Sequence, residues 1–270
     1  EASLSLIDLV VLLGIAAVLP LALGGAWWWW AGAAAAALGA LLLPAGWAAA
    51  GLALPWVLAC VAAGVAALRR AGPAGSWGLE HGAKVLACAY AAAAAGAFVL
   101  SRRGARLFGI GEPIVELTAV HYTYAGAAAL VLAVYALEAA SGRERRIARA
   151  AVVLTALAPP VVAVGFVTRA AVAQVGGAVL MTLGVWLTAG LQLHTALGWT
   201  ERTRVRLLLA VSGFTIWIPM VLAVAWAAGQ HWPVPALPIP DMVRTHGLAN
   251  ALGFVLCGLI GRRLSALARD

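Results

Sequence analysis

PIVELTAVHYTYAGAAALVLAVYALEAA, residues 113–140, decides the fold of this chain. At about 1.5 Å per residue it is long enough to cross the roughly 30 Å hydrocarbon core of a bilayer as a helix. Its first half nevertheless carries Glu116, His121, Tyr122, Thr123 and Tyr124. Ionisable side chains at membrane depth are costly unless they are paired or face a polar cavity, so the stretch reads as a membrane span that also holds a functional site.

Comparable apolar runs extend outward from it in both directions. They predict helical spans over residues 4–23, 26–43, 46–68, 79–100, 113–140, 150–168, 171–195, 206–228 and 242–261. The expectation is an all-α polytopic transmembrane bundle of about nine spans, one domain over residues 1–270. Eight is the alternative: only Gly24 and Gly25 separate the first two segments, and Pro159 and Pro160 must kink or break the sixth. Composition agrees, at 64% hydrophobic, 10% charged and mean hydropathy +0.98. A soluble domain carries roughly 25% charged residues, and no stretch is left over to form one.

Arginine placement gives an orientation, because Lys and Arg beside spans are retained on the cytoplasmic side. With nine spans, one face collects Arg69, Arg70, Arg143, Arg145, Arg146, Arg149, Arg202, Arg204, Arg206, Arg262, Arg263 and Arg269; the other has Arg102, Arg103, Arg106, Arg169 and Arg244. The N-terminus is therefore expected outside, the C-terminus in the cytoplasm, and the protein in a bacterial cell membrane as a multi-pass chain. The net charge of +8 is explained by this topology and by anionic headgroups, and nucleic acid is not an expected partner. The first segment has no A-x-A-like cleavage site and reads as a retained span, not a signal peptide. Cys60, Cys88 and Cys257 sit inside apolar segments with no paired spacing, which points to inert buried thiols. Trp27 to Trp30 fit an aromatic belt at the start of the second segment.

Topology turns the polar residues into a depth map. Glu116, His121 and Tyr124 lie progressively deeper in the fifth span; Asp241 and Arg244 mark the mouth of the ninth, with His246 and Asn250 further in and Gly253 beside them. Asp8, Gln174, Trp226, His231 and Trp232 fall in the same outer half. At about 100° per residue His121 points about 140° away from Glu116, so the fifth span has a broad polar face and no single stripe. Glu80, His81, Lys84, Gln192 and His194 read as an interfacial set on the inner face. Bland readings stand beside these: His and Asn as helix–helix glue, Asp241–Arg244 as a solvated pair at the helix start, Arg244 as a structural partner for Glu116.

The stretches Leu117-Thr-Ala-Val-His121-Tyr-Thr-Tyr124-Ala-Gly and Thr245-His246-Gly-Leu-Ala-Asn250-Ala-Leu-Gly resemble the bacterial YndJ-like membrane proteins over the second half of the chain. In that family the first motif tends to read His-Phe-His, where this chain has His121-Tyr122-Thr123. The family name brings no activity with it. By type, acidic groups isolated among Trp and Tyr also resemble the membrane-bound terpene cyclases of meroterpenoid pathways.

That likeness implies an integral membrane enzyme acting on a lipophilic, isoprenoid substrate by acid-initiated carbocation cyclisation or isomerisation, without cofactor or metal. A carboxyl group desolvated in an apolar cavity can keep its proton and act as the acid. Glu116, Asp241 and Asp8 are the candidate acids. His121, His246 and Asn250 are candidates to orient or reprotonate them. Tyr122, Tyr124, Trp217 and Trp226 offer π faces to a cation, and Gln174, His231 and Arg244 complete the expected substrate wall. The alternatives are a small-molecule or proton-coupled transporter, which uses the same residue types for ion coupling, and a haem- or metal-binding protein with His121 and His246 as ligands. Clustered aspartates for a metal-bound diphosphate and a G-x-S-x-G nucleophile are both missing, which sets aside prenyltransferase and serine hydrolase chemistry.

Overall fold

A computed structural model of the chain describes residues 4–70, 77–106, 108–198 and 202–267. Arg269 and Asp270 lie outside the described residues. Nine helices form among those described: α1 (Leu6–Leu23), α2 (Trp27–Leu42), α3 (Trp47–Arg70), α4 (Leu79–Arg103), α5 (Ile114–Ala139), α6 (Gly142–Thr168), α7 (Ala171–Leu197), α8 (Thr203–Gly229) and α9 (Ile239–Leu267). Eight are long and apolar enough to cross a membrane; α2, with 16 residues, is the shorter one. At about 1.5 Å per residue α2 reaches only about 24 Å.

Of the two outcomes expected at Pro159 and Pro160, a kink or a break, the break does not occur, since α6 runs through both. The reason lies in α7, whose glycines let it press against the α6 backbone on either side of the pair. A Cβ on Gly177 would sit 2.7 Å from the Val162 nitrogen, and one on Gly184 2.9 Å from the Thr155 nitrogen. Close neighbours of this kind let a membrane helix tolerate proline without breaking.

The chain divides into two compact units, Glu1–Val131 and Leu132–Asp270. In the first, Ser5 and Asp8 form a capping box that starts α1: Ser5 Oγ accepts from Asp8 N at 3.2 Å and Asp8 Oδ2 accepts from Ser5 N at 2.6 Å. Helix α4 buries Ala83, Ala87, Ala91, Ala94 and Phe98, a small-residue face that lets α3 and α5 pack closely on it. Both neighbours run antiparallel to it. Gly46, just before α3, donates its N–H to Arg102 O at 2.8 Å near the end of α4, and Gly126 in α5 packs against Tyr90 in α4. Helix α1, by contrast, runs parallel to α5. Asp8 meets Glu116, while further along Gly14 meets Thr123 and Tyr124. Trp30 Nε1 donates to Gly24 O at 2.9 Å, and Trp27, Trp28 and Trp29 are exposed.

In the second unit α6, α7, α8 and α9 pack in sequence, each antiparallel to the next. Gly165 meets Gln174, Gln192 meets Ser212, and Gly261 meets Leu209. A groove of about 210 Å³ between α7 and α8 is lined by Leu193, Leu197, Arg206, Leu207 and Phe214 among others, none of them a candidate site residue.

Candidate functional site

The candidate residues fall into two groups, one in each unit. In the first unit the centre is Glu116, on the opening turn of α5. Its relative exposure is 8%, and its Oε1 is buried with no hydrogen-bond partner among the described residues. Asp8 on α1 acts on it more strongly than any other charged group, followed by Arg102 and Glu112. Glu112 is also bound locally: its Oε2 accepts from Glu116 N at 3.1 Å. Arg102, in the last turn of α4, also belongs to this cluster, although the sequence shows it only as an arginine flanking a span.

His121 and Tyr124, expected on one broad polar face, divide between an exposed and a buried position. Tyr124 is buried, and its hydroxyl donates to Val10 O at 2.9 Å, fastening α1 to α5. His121 is exposed, and its Nδ1 lies 2.7 Å from Leu117 O. A carbonyl only accepts, so Nδ1 carries the proton and Nε2 is the acceptor nitrogen of the neutral ring. Tyr122 stands edge-on to Tyr90 with ring centroids 5.6 Å apart. From Tyr122 to Ala128 the helix winds as a π-helix, an arrangement frequent at functional sites.

In the second unit the ninth helix is π-wound over Val243–Gly247 and again over Ala249–Leu256, through both residues of the second motif. His246 Nδ1 lies 2.7 Å from Pro219 O on α8, which fixes its proton on that nitrogen. Asn250 Nδ2 is 3.2 Å from His246 Nδ1 and 3.1 Å from Nε2. Near-equal distances to both nitrogens place the amide over the ring face, a weaker contact than a bond to a lone pair. Asn250 Oδ1 is buried without a hydrogen-bond partner among the described residues.

The other candidate residues make the following contacts. Asp241 and Arg244 make an ion pair at 3.3 Å with both side chains substantially exposed. Gln174, buried, hydrogen-bonds His231. Trp217 packs on Trp186 at 5.3 Å, and Trp226 stacks with Phe166 at 6.3 Å. Among the described residues no group of three or more His, Cys, Asp or Glu side chains is arranged to hold a metal ion.

A family model described as YndJ-like protein matches residues 9–254. The chain belongs to the YndJ-like family. The match takes in nearly the whole chain, so the first half, whose sequence carries no distinctive motif, belongs to the same YndJ-like architecture as the two polar helices. No curated protein and no solved structure matches the chain. With its eight long apolar helices, this YndJ-like protein is a multi-pass membrane protein.

One interfacial assignment is corrected. Gln192 is fully buried and its side-chain oxygen lies 2.7 Å from Ser212 Oγ, while His194 is exposed and pairs with Glu144 at 2.9 Å. Ser212, Thr215 and Pro219 were missed for the same reason: single small or apolar residues in an apolar span carry no charge signal. The spacing of Thr215 and Pro219 was the available clue, because a proline withholds an N–H from the carbonyl four residues before it.

Proposed function

We propose that this membrane protein is an intramembrane acid catalyst in which Glu116 protonates a lipophilic, isoprenoid-class substrate entering sideways from the bilayer. Protonation of an alkene carbon leaves a carbocation, a second alkene closes on it, and loss of a proton gives a cyclic isomer. The observation that carries this reading is the buried Glu116 carboxyl group, with one oxygen unpartnered and the Asp8 carboxyl against it. Two carboxyl groups that face each other repel as anions and hold together when a proton lies between them. Asp8 is anchored to Ser5 by its cap, so Glu116 is the member able to turn toward a substrate. In this reading His121, one to two turns on and with Nε2 as its acceptor nitrogen, takes the proton back, and the Tyr90–Tyr122 pair offers π faces to the cation. This chemistry needs no cofactor.

The proposal extends to topology: one transmembrane domain in a bacterial cell membrane, N-terminus outside, C-terminus cytoplasmic, with α2 as the ninth crossing. The parallel course of α1 and α5 supports it. Two parallel helices start on the same side, and α5 is preceded by the antiparallel pair α3 and α4, so the chain has to return between α1 and α3. Only α2 lies there.

The test is mass spectrometry of an organic extract after incubating the purified protein in detergent with linear prenylated acceptors and their terminal epoxides. An isomeric product of unchanged mass, absent with Glu116→Gln, is expected. No turnover across the panel, or full turnover by Glu116→Gln, overturns the reading.

A further inference from the structure

Helix α8 is interrupted midway. It is α-helical over Thr203–Thr215 and Trp217–Gly229, with Ile216 between them as a turn residue. Pro219 is the cause, since it has no N–H to give to the Thr215 carbonyl four residues back. Facing the interruption, α9 is π-wound. The two irregularities meet: Pro219 O takes the His246 Nδ1 proton at 2.7 Å, and a Cβ on Gly253 would lie 2.5 Å from Thr215 Oγ1. Asn250 lies between His246 and Gly253 along α9, and its amide touches His246.

What gathers there is neutral oxygen. Thr215 Oγ1 spends its proton on Val211 O at 2.9 Å and keeps its lone pairs for another donor. Asn250 Oδ1 is a buried acceptor without a partner. One turn further along, Ser212 Oγ lies 2.6 Å from Phe254 O and 2.7 Å from the Gln192 side-chain oxygen, yet a hydroxyl has one proton to give. The count closes when the Gln192 amide presents its N–H to Ser212, which in turn donates to Phe254 O. The unpartnered buried atom of Gln192 is then its oxygen, a second orphaned acceptor on the same interface.

Orphaned acceptors without a carboxylate suit a monovalent cation. Asp241, the one acidic residue of α9, is nine positions from Asn250, about 13 Å along the axis, and is paired with Arg244. Divalent ions of the calcium and magnesium class draw on carboxylates, whereas irregular backbone in discontinuous membrane helices coordinates monovalent ions through neutral oxygens. We propose that the α8–α9 interface at Thr215 and Asn250 binds a monovalent metal cation within the membrane, with Ser212 and Gln192 as the next station along the same interface. The site is independent of the acid reading, which concerns α1 and α5.

The experiment is thermal unfolding of the full chain in detergent with sodium, potassium or choline chloride at equal ionic strength. A saturable rise in Tm of a few degrees with sodium or potassium over choline is expected, lost in Asn250→Leu and in the near-isosteric Thr215→Val, and retained in Glu116→Gln. Equal Tm in the three salts, as a site filled by water alone would give, overturns the proposal. So does a cation-dependent rise that persists in both variants. Thr215→Val keeps the test decisive if Asn250→Leu does not fold.

Discussion

The start of α5 and the middle of α8 and α9 handle polar groups in opposite ways. At the start of α5 an ionisable side chain is buried on regular α-helical turns: Glu116 lies in α-helix ahead of the π-wound stretch Tyr122–Ala128, and Asp8 on α1 is held by an ordinary capping box. At α8 and α9 the backbone itself is irregular, with an interruption at Ile216 and π-winding from Val243, and the buried side chains are uncharged amides and hydroxyls. The first arrangement is the one we propose to hold a proton on one carboxyl group and give it away. The second spreads neutral acceptors along an interface, the arrangement we propose to hold a monovalent cation.

Removing the first arrangement has the largest expected effect. Glu116→Gln keeps the shape and removes the acid, and turnover falls by about 10²–10⁴-fold, the usual contribution of a general acid; the reverse exchange in α9, Asn250→Asp, leaves that turnover in place. Either result reversed breaks the contrast between the two regions. Gly184→Ala comes next: its Cβ would meet Thr155 Oγ1 at 2.5 Å, and overpacking costs about 1–3 kcal/mol, read as a lower midpoint of unfolding in detergent.

Ser212→Ala sharpens the comparison within the second unit. It strips the hydroxyl from between Gln192 and Phe254 O and costs about 1–3 kcal/mol for the buried groups left unmet, measurable in the same unfolding assay. Tyr124→Phe removes one bond between α1 and α5, worth about 0.6 kcal/mol on average for membrane interhelical hydrogen bonds. Asp241→Asn is the smallest: an exposed ion pair contributes about 0–1 kcal/mol, and its effect fades with added salt.

The helices were legible because membrane burial writes itself into long apolar runs, and segments expected at 79–100 and 171–195 appear as α4 and α7 with ends shifted by a few residues. The path through Pro159 and Pro160 was not legible, because what keeps α6 continuous is the neighbouring backbone at Gly177 and Gly184. Charge drew attention to Glu116, His121 and His246, and each stands where helices meet or at an exposed turn. Polarity misplaced Gln192, since hydropathy cannot tell an amide near a headgroup from one enclosed by Ser212 and Gly258. Helix pairing was the least accessible feature. Nothing in the order of residues announces that Asp8 lies against Glu116, because that contact depends on α1 running parallel to α5.

Solvent-deuterium labelling tests the central claim most directly. The protein is incubated in D₂O with a linear prenylated alkene, and the cyclic product is weighed. Delivery of an exchangeable proton from Glu116 predicts one carbon-bound deuterium in the product and no product with Glu116→Gln; an unlabelled product, or a labelled one formed equally well by Glu116→Gln, would contradict it.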